Sequence, residues 1–338
     1  MSFAEVHATH PWDEVLGSVA AKTDADVLRA LSRAEADSAD LEDFKALISP
    51  AAAPHLERMA RLSHERTLRR FGRTMQLFAP AYLSNECQNI CTYCGFSAGN
   101  KVPRRTLNPG EILREAGALK KLGFDHLLIL TGESNKVEVP YFVQALDLLR
   151  PHFSSLSMEV QPMETAEYVE LRRHGPRLNA VLVYQETYHR ETYNVHHPKG
   201  RKSDFLYRLD APDRVGAAGV HKIGLGALFG LEDWRAECSS PPSTSAGSSA
   251  NTGRAASASR SAHPSARRRI AAEGRDDRPR PSSSDLRLPP AELRSRADAE
   301  HPREPQVPRS RCRVGVTAMS AGSHTNPGGY AEGREASL

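Results

Sequence analysis

The residues best suited to chemistry lie in one octapeptide, CQNICTYC, residues 87–94. It holds three of the chain's five cysteines, Cys87, Cys91 and Cys94, in the pattern C-x3-C-x2-C. A disulfide framework does not account for so tight an odd cluster, because pairing any two leaves the third over. Thiolates gathered this closely more often converge on a metal. Structural zinc usually takes four protein ligands in two pairs, and here Cys238 and Cys312 stand alone and far off in sequence. A [4Fe–4S] cluster is also held by cysteine thiolates. Three of them hold three irons and leave the fourth open to a substrate or cofactor. Three incidental buried thiols, or a zinc site completed by histidine, are the alternatives that the pattern leaves open.

Such a loop needs a scaffold, and the flanking sequence describes one. LFAPAYLSN is an apolar run that turns polar just before the cysteines. PGEILREAGALKKLGF reads as an amphipathic helix, with Pro109 at its start and Gly123 just past its end. DHLLILTGES, SLSMEVQP, NAVLVYQET and HKIGLGALFG read as further strands, with VPYFVQALDLLRPHF, TAEYVELRRHG and DFLYRLDAPDRVGAAG as the helices between them. Strands alternating with helices at short intervals predict a parallel sheet. The continuous apolar runs predict that both of its faces are covered. The expected class is α/β, a (β/α)8-type barrel, with an open doubly wound sheet as the other arrangement. In both, the site lies at the C-terminal ends of the strands. Polar residues collect there: Ser84 and Asn85, Thr131 to Glu133, Glu159 and Gln161, and Gln185 to Thr187. Residues 24–78 carry apolar positions at helical spacing.

Charge is unevenly placed. Residues 1–238 hold 29 Lys and Arg against 31 Asp and Glu, a net of −2, whereas residues 239–312 hold 14 Arg against 8 acids, a net of +6. The latter segment contains no Phe, Trp, Tyr, Lys or Met. It is expected to be structureless, because it cannot bury enough apolar surface to offset its chain entropy. It lacks the aromatic interleaving used to bind single strands, so nucleic acid is not expected as a partner. HHPKGRK, residues 196–202, reads as a loop, with His196 and His197 structural or exposed. No apolar run is long enough to span a membrane, and the first residues read as neither a secretory nor a transit peptide. A cytoplasmic protein is expected.

The cysteine pattern with Tyr93 before its last member resembles the radical S-adenosylmethionine enzymes. YLSNECQNICTYCGFSAGN, LTGES, SMEVQPMETAEYVEL, VLVYQETYHRETYNVHHPKGRKSDFLYRLDAPDR and HKIGLGALFGLEDWR are similar to the tyrosine lyases of thiamine biosynthesis, the 2-iminoacetate synthases. The resemblance covers about residues 40–238 and 314–331. It implies a [4Fe–4S] cluster on Cys87, Cys91 and Cys94, with S-adenosylmethionine chelated at the open iron. It implies Tyr93 beside the adenine and Glu133 on the methionine ammonium. Gln185, Glu186 and Thr187 would lie at the ribose, and Arg208 at a carboxylate. The implied reaction cleaves the Cα–Cβ bond of L-tyrosine to 2-iminoacetate (dehydroglycine) and p-cresol. The implied partners are thiazole synthase and a one-electron reductant of flavodoxin or ferredoxin type.

The resemblance fails over residues 239–312, where the sixth and seventh strands should lie, and returns at VGVTAMSAGSHTNPGGYA. The expected organisation is therefore a helical extension (1–78), a barrel core of five strands (79–238), a structureless Arg/Ser/Pro/Ala-rich segment (239–312) and the last strand with a tail (313–338). The barrel is expected to be incomplete and the activity impaired. A segment read out of frame between two indels explains the composition; a genuine insertion replacing two strands is the other reading. The alternatives for function are the related tyrosine-cleaving maturase, and a non-catalytic or damaged product with an Arg-rich tail.

Overall fold

Alternating residues of the apolar runs divide between two faces of a seven-stranded parallel sheet. The computed structural model describes residues 2–175, 178–240, 255–257, 260–261 and 317–333. The strands are β1 (Gln76–Ser84), β2 (His126–Thr131), β3 (Ser155–Glu159), β4 (Leu178–Leu182), β5 (Lys222–Leu225), β6 (Leu228–Phe229), β7 (Ala255–Ser257), β8 (Arg260–Ser261) and β9 (Ala318–Ser320). Their order is β7-β5-β4-β3-β2-β1-β9, and β6 and β8 form a separate pair. Every pairing in the large sheet is parallel.

One face packs on helices. Ala79, Ala81, Leu83, Leu127, Ile129, Leu156, Met158, Val181, Val183, Ile223 and Leu225 share a single core with Ile112, Leu119, Phe142, Leu146, Tyr168 and Val215. Each fully buried side chain of this size contributes about 1.5–3 kcal/mol. The residues between them, such as Leu128, Leu130, Glu159 and Leu182, belong to the opposite face, as the period of two requires. The helices follow the boundaries that their end signals predict. In helix Pro109–Lys121, Asn108 accepts from Glu111 N at 3.0 Å while the Glu111 carboxylate accepts from Asn108 N at 2.8 Å. That reciprocal cap, with proline in the first turn, fixes the helix start.

Residues from the far end of the chain complete the edge beside β1. Gln76, Leu77 and Phe78 pair with Ala318, Met319 and Ser320. A clasp holds this strand: the Glu115 carboxylate accepts from Tyr330 N and Ala331 N, and Arg105 pairs with Glu332 at 2.6 Å. Last strand beside first strand is the neighbour relation of a barrel. Within the described residues the sheet is open between β7 and β9, consistent with the expected incomplete barrel.

Two findings depart from the sequence reading, at strand β1 and in the segment 239–312. Helices Phe3–Ala8 and Trp12–Ala20 fall within the expected helical extension (1–78), ahead of the stretch 24–78 whose spacing is helical. Phe3 enters the main core, with its N–H on Asp213 at 2.7 Å and that of Ala4 on Asp210 at 2.9 Å. Strand β1 begins at Gln76, inside the expected helical extension. The expectation of a structureless 239–312 does not hold for Ala255–Ser257, which pairs with β5, nor for Arg260–Ser261, which pairs with β6. Most of that segment, and with it the out-of-frame reading, lies outside the described residues. Among the described residues no helix is long and apolar enough to cross a membrane.

Candidate active site

The loop after β1 is held from three sides. From β2, Gly132 donates to Ser84 O at 3.1 Å, and Glu133 O accepts from Gln88 N at 2.9 Å. Gly132 lies so close to the Glu86 carbonyl and Cys87 Cβ that any side chain there would collide with backbone. From the outside, residues 196–202 form a strap. Lys199 O accepts from Ile90 N at 2.9 Å, and His196 O accepts from Thr92 N at 3.2 Å. Gly200, at φ 101°, presses on Asn89, a conformation and an approach that only glycine allows without strain. From within, the Arg104 guanidinium gathers the carbonyls of Asn85, Phe96 and Ser97 at 2.7–2.8 Å. Cys91 N donates to Ser97 Oγ at 3.1 Å.

These constraints bring Cys87, Cys91 and Cys94 into one electrostatic neighbourhood. Burial pushes the Cys91 thiol up to about 12, with the other two cysteines adding to the rise and Lys202 opposing it. Burial also raises Cys94, again opposed by Lys202. Ligation to a metal would replace those protons. Among the described residues no three thiol, imidazole or carboxylate groups meet in a geometry for a single ion. The all-thiol donor set fits a cluster that distributes its ligands over separate irons and leaves one iron open.

Four buried charges lie next to the cysteines. Glu133, at the end of β2, receives Arg208 Nη1 at 2.6 Å and Asn89 Nδ2 at 2.9 Å. Glu186, just past β4, receives Lys202 Nζ at 2.8 Å. Arg208 Nε also donates to Tyr184 O at 2.7 Å. Lys202 N donates to Asn89 Oδ1 at 3.0 Å, and its ammonium lies 5.8 Å from the centre of the Tyr93 ring. Burial alone would raise the Glu133 carboxyl, but Arg208 and Lys202 outweigh it and hold the group below its ordinary range. Burial opposes the charges on Arg208 and Lys202, yet Glu133 and Glu186 keep both firmly protonated. Two cations and two anions sharing one desolvated pocket can bind a zwitterion by exchange of partners. Glu186 itself takes φ 70°, unusual for a residue with a side chain. Its carbonyl is fixed there by Leu228 N at 2.7 Å.

Of the residues singled out in the sequence, Tyr93, Glu133, Glu186 and Arg208 surround this pocket with the three cysteines. Gln185 and Thr187 point elsewhere. Gln185 Nε2 donates to Phe205 O at 3.3 Å, in a small recess lined by Phe3, Val183 and Leu225 on the helix-covered face. Thr187 Oγ1 accepts from His189 N at 3.1 Å. Sequence reasoning passed over Asn89 and Lys202, and read His197 as structural or exposed. The strap looks like an exposed basic loop, yet His197 is fully buried, with Nε2 2.7 Å from the Tyr93 hydroxyl. The signal available was Gly200 between two basic residues, which marks a close backbone approach.

The profile of the Radical SAM superfamily matches residues 82–237. A 2-iminoacetate synthase from Escherichia coli (strain K12) is 50% identical over 228 residues, covering 67% of this chain and 59% of that protein. One from Salmonella typhimurium is 51% identical over 229 residues, with the same coverages. The chain thus spans about three fifths of the length of these curated relatives. The crystal structure of HydG, a maturase of the [FeFe]-hydrogenase, superposes with a TM-score of 0.79 at 23% identity, covering 95% of this chain and 73% of that chain. Methylornithine synthase superposes with a TM-score of 0.60 at 19% identity, covering 86% and 85%. These two likenesses concern the fold. The cysteine loop, the parallel half-barrel and these matches agree: residues 82–237 are similar to the radical SAM superfamily, whose members use a [4Fe–4S] cluster and S-adenosylmethionine.

Proposed function

We propose that the chain is a carbon–carbon lyase of the 2-iminoacetate synthase type, acting on L-tyrosine. The observation that carries this reading is the intact three-cysteine loop packed against the Glu133–Arg208 and Glu186–Lys202 pairs. The Radical SAM superfamily match over residues 82–237 includes it, and 2-iminoacetate synthases are 50% identical over 228 residues. Cys87, Cys91 and Cys94 hold the cluster. A bound cluster would supply the electron for reductive cleavage of S-adenosylmethionine to methionine and a 5′-deoxyadenosyl radical, the species that would abstract hydrogen from tyrosine. Glu133 would hold the methionine ammonium and Arg208 a carboxylate. Glu186 faces the ribose hydroxyls, and Tyr93 lines the adenine side. The buried quartet excludes water from these contacts and strengthens each of them. Cleavage at Cα–Cβ then yields 2-iminoacetate and a 4-oxidobenzyl radical, which a second electron from the one-electron reductant and a proton convert to p-cresol. Because 2-iminoacetate hydrolyses readily, a thiazole synthase that consumes it directly is the fitting partner. The identity to the lyases favours this chemistry over that of the hydrogenase maturase, whose likeness is one of fold.

The test is anaerobic reconstitution with iron and sulfide, followed by product analysis. About four irons per chain, loss of the cluster in Cys91→Ala, and release of both 5′-deoxyadenosine and p-cresol are expected. A Cys91→Ala variant that keeps the same cluster would exclude the assignment. Release of 5′-deoxyadenosine without p-cresol would mean that the cofactor half works and the tyrosine half does not.

A further inference from the structure

Asn89 stands midway between Cys87 and Cys91 and is fully buried. Both ends of its amide are engaged, by partners of opposite kind. Oδ1 accepts from the strap backbone, Lys202 N, at 3.0 Å, and Nδ2 donates to Glu133 Oε2 at 2.9 Å. A backbone N–H only donates and an ionised carboxylate only accepts, so the orientation of the amide is fixed from both sides. The main chain is held as well, with Asn89 O accepting from Ala98 N at 2.8 Å. Gly200 closes the strap over this residue, where any Cβ would strike Asn89 Oδ1 and Cα.

The two oxygens of Glu133 have different partners. Arg208, a cation, takes Oε1 at 2.6 Å, and Asn89, a neutral donor, takes Oε2. A carboxylate offers about four lone-pair sites, so these two bonds orient the group and leave it able to accept another donor. An amide orients without neutralising, because it brings no charge to compete with an incoming cation. Aspartate in its place would turn an acceptor toward Glu133. Leucine would strand Glu133 Oε2 and Lys202 N, both in a buried place.

We infer that Asn89 is a positioning residue for S-adenosylmethionine: from within the cysteine loop it aims the Glu133 carboxylate at the methionine ammonium. The inference rests on the reading of Glu133 as the acceptor of that ammonium. Asn89 acts through Glu133 rather than on the cofactor itself. One side chain thereby ties the loop that carries the thiols, the strap and the end of β2 into a single alignment.

Asn89→Asp separates positioning from packing of the loop. One aspartate oxygen still accepts from Lys202 N, while the other faces Glu133 with like charge. After anaerobic reconstitution of the full chain, the iron content of this variant should equal that of the wild type. Affinity for S-adenosylmethionine is read from the change in the electron paramagnetic resonance signal of the reduced cluster. It should fall at least about tenfold, since a hydrogen bond to a charged group is lost. Wild-type affinity in Asn89→Asp, or iron lost in step with affinity, overturns the inference. Glu133→Gln tells the two possible failures apart. Reduced affinity there, with wild-type affinity in Asn89→Asp, overturns the inference and leaves the reading of Glu133. Unchanged affinity in Glu133→Gln overturns that reading itself.

Urea denaturation of the chain without cluster tests the contact independently of the cofactor. Asn89→Asp should unfold at lower urea than the wild type. Combining Asn89→Asp with Glu133→Gln exchanges donor and acceptor across the same contact and leaves the net charge unchanged. The double variant should recover most of the lost midpoint. A double variant no more stable than Asn89→Asp overturns the inference, because the bond to Glu133 is then not what Asn89 supplies.

Discussion

The Tyr93 hydroxyl and His197 Nε2 lie 2.7 Å apart across 104 residues of sequence. The direction of this hydrogen bond is settled by the other side of the ring. His197 Nδ1 is 2.8 Å from Tyr193 O, and a carbonyl only accepts, so Nδ1 carries the proton. Nε2 is then bare and accepts from Tyr93. Burial and the nearby Lys202 charge push the imidazole down to about 3, which keeps it neutral. The aromatic ring next to Cys94 is therefore held by a chain of two hydrogen bonds ending on the backbone of helix Arg190–His196.

Replacing His197 by Phe leaves a buried hydroxyl without an acceptor. We expect a loss of about 1–3 kcal/mol in urea unfolding. His197→Gln, which keeps an acceptor, should lose less. Adding Tyr93→Phe to His197→Phe should recover part of the loss, because neither partner is then left unpaired. Strictly additive losses in the double variant would mean that the two residues do not act as a pair.

Gly132→Ala tests the contact between the end of β2 and the cysteine loop. The added methyl group meets the Glu86 carbonyl and Cys87 Cβ, and neither is the end of a flexible side chain. The loop must shift as a body. Overpacking of this kind costs about 1–3 kcal/mol. The reconstituted variant should retain clearly less iron per chain than the wild type, by iron assay and visible absorbance. Full iron retention would mean that the loop relaxes without disturbing its thiols.

How much of this was legible depended on sequence distance. The strands were readable because the sheet is covered on both sides and its segments are apolar throughout. Helix Phe3–Ala8 was not, because six residues carry too little periodicity. The polar triplet at 185–187 was read as one group. These residues lie past the end of β4 at Leu182, and Glu186 turns at φ 70°, so Gln185 bonds to Phe205 O while Glu186 faces Lys202. That turn, not strand alternation, separates them. The strap did not declare itself: what makes His197 and Lys202 site residues is contact with Tyr93, Asn89 and Glu186, set by how β4 and its following loop fold back over β1.

Arg208→Met should destabilise the protein by about 3–5 kcal/mol, because Glu133 then stays buried with its main counter-charge gone. With Arg208 absent, burial should drive the Glu133 carboxyl upward. A second change, Glu133→Gln, should restore part of the stability by removing the uncompensated charge. Chemical denaturation of the two single variants and the double variant measures this coupling. A double variant less stable than Arg208→Met would contradict the pairing as the origin of the loss.

Glu237 sets a pH dependence in the opposite sense from that of a paired carboxylate. It is buried in helix Trp234–Ser239, where Oε2 accepts from Tyr188 N at 3.0 Å. Oε1 has no hydrogen-bond partner among the described residues. Burial pushes its carboxyl from an ordinary 4.5 up to about 8. Between those values the folded chain holds a proton that the unfolded chain has released. Stability contributed by this group is therefore fully present below about 4.5 and is lost as pH rises through about 8. The slope approaches about 1.4 kcal/mol per pH unit where the difference is a whole proton. Glu237→Gln cannot titrate, so its unfolding free energy should fall less steeply from pH 5.5 to 8, a range of about 2.5 units inside that window. The two proteins should differ most at the alkaline end, with the variant the more stable there. Parallel pH profiles for wild type and Glu237→Gln would show that Glu237 is already ionised in the folded chain and that its unpaired oxygen is solvated.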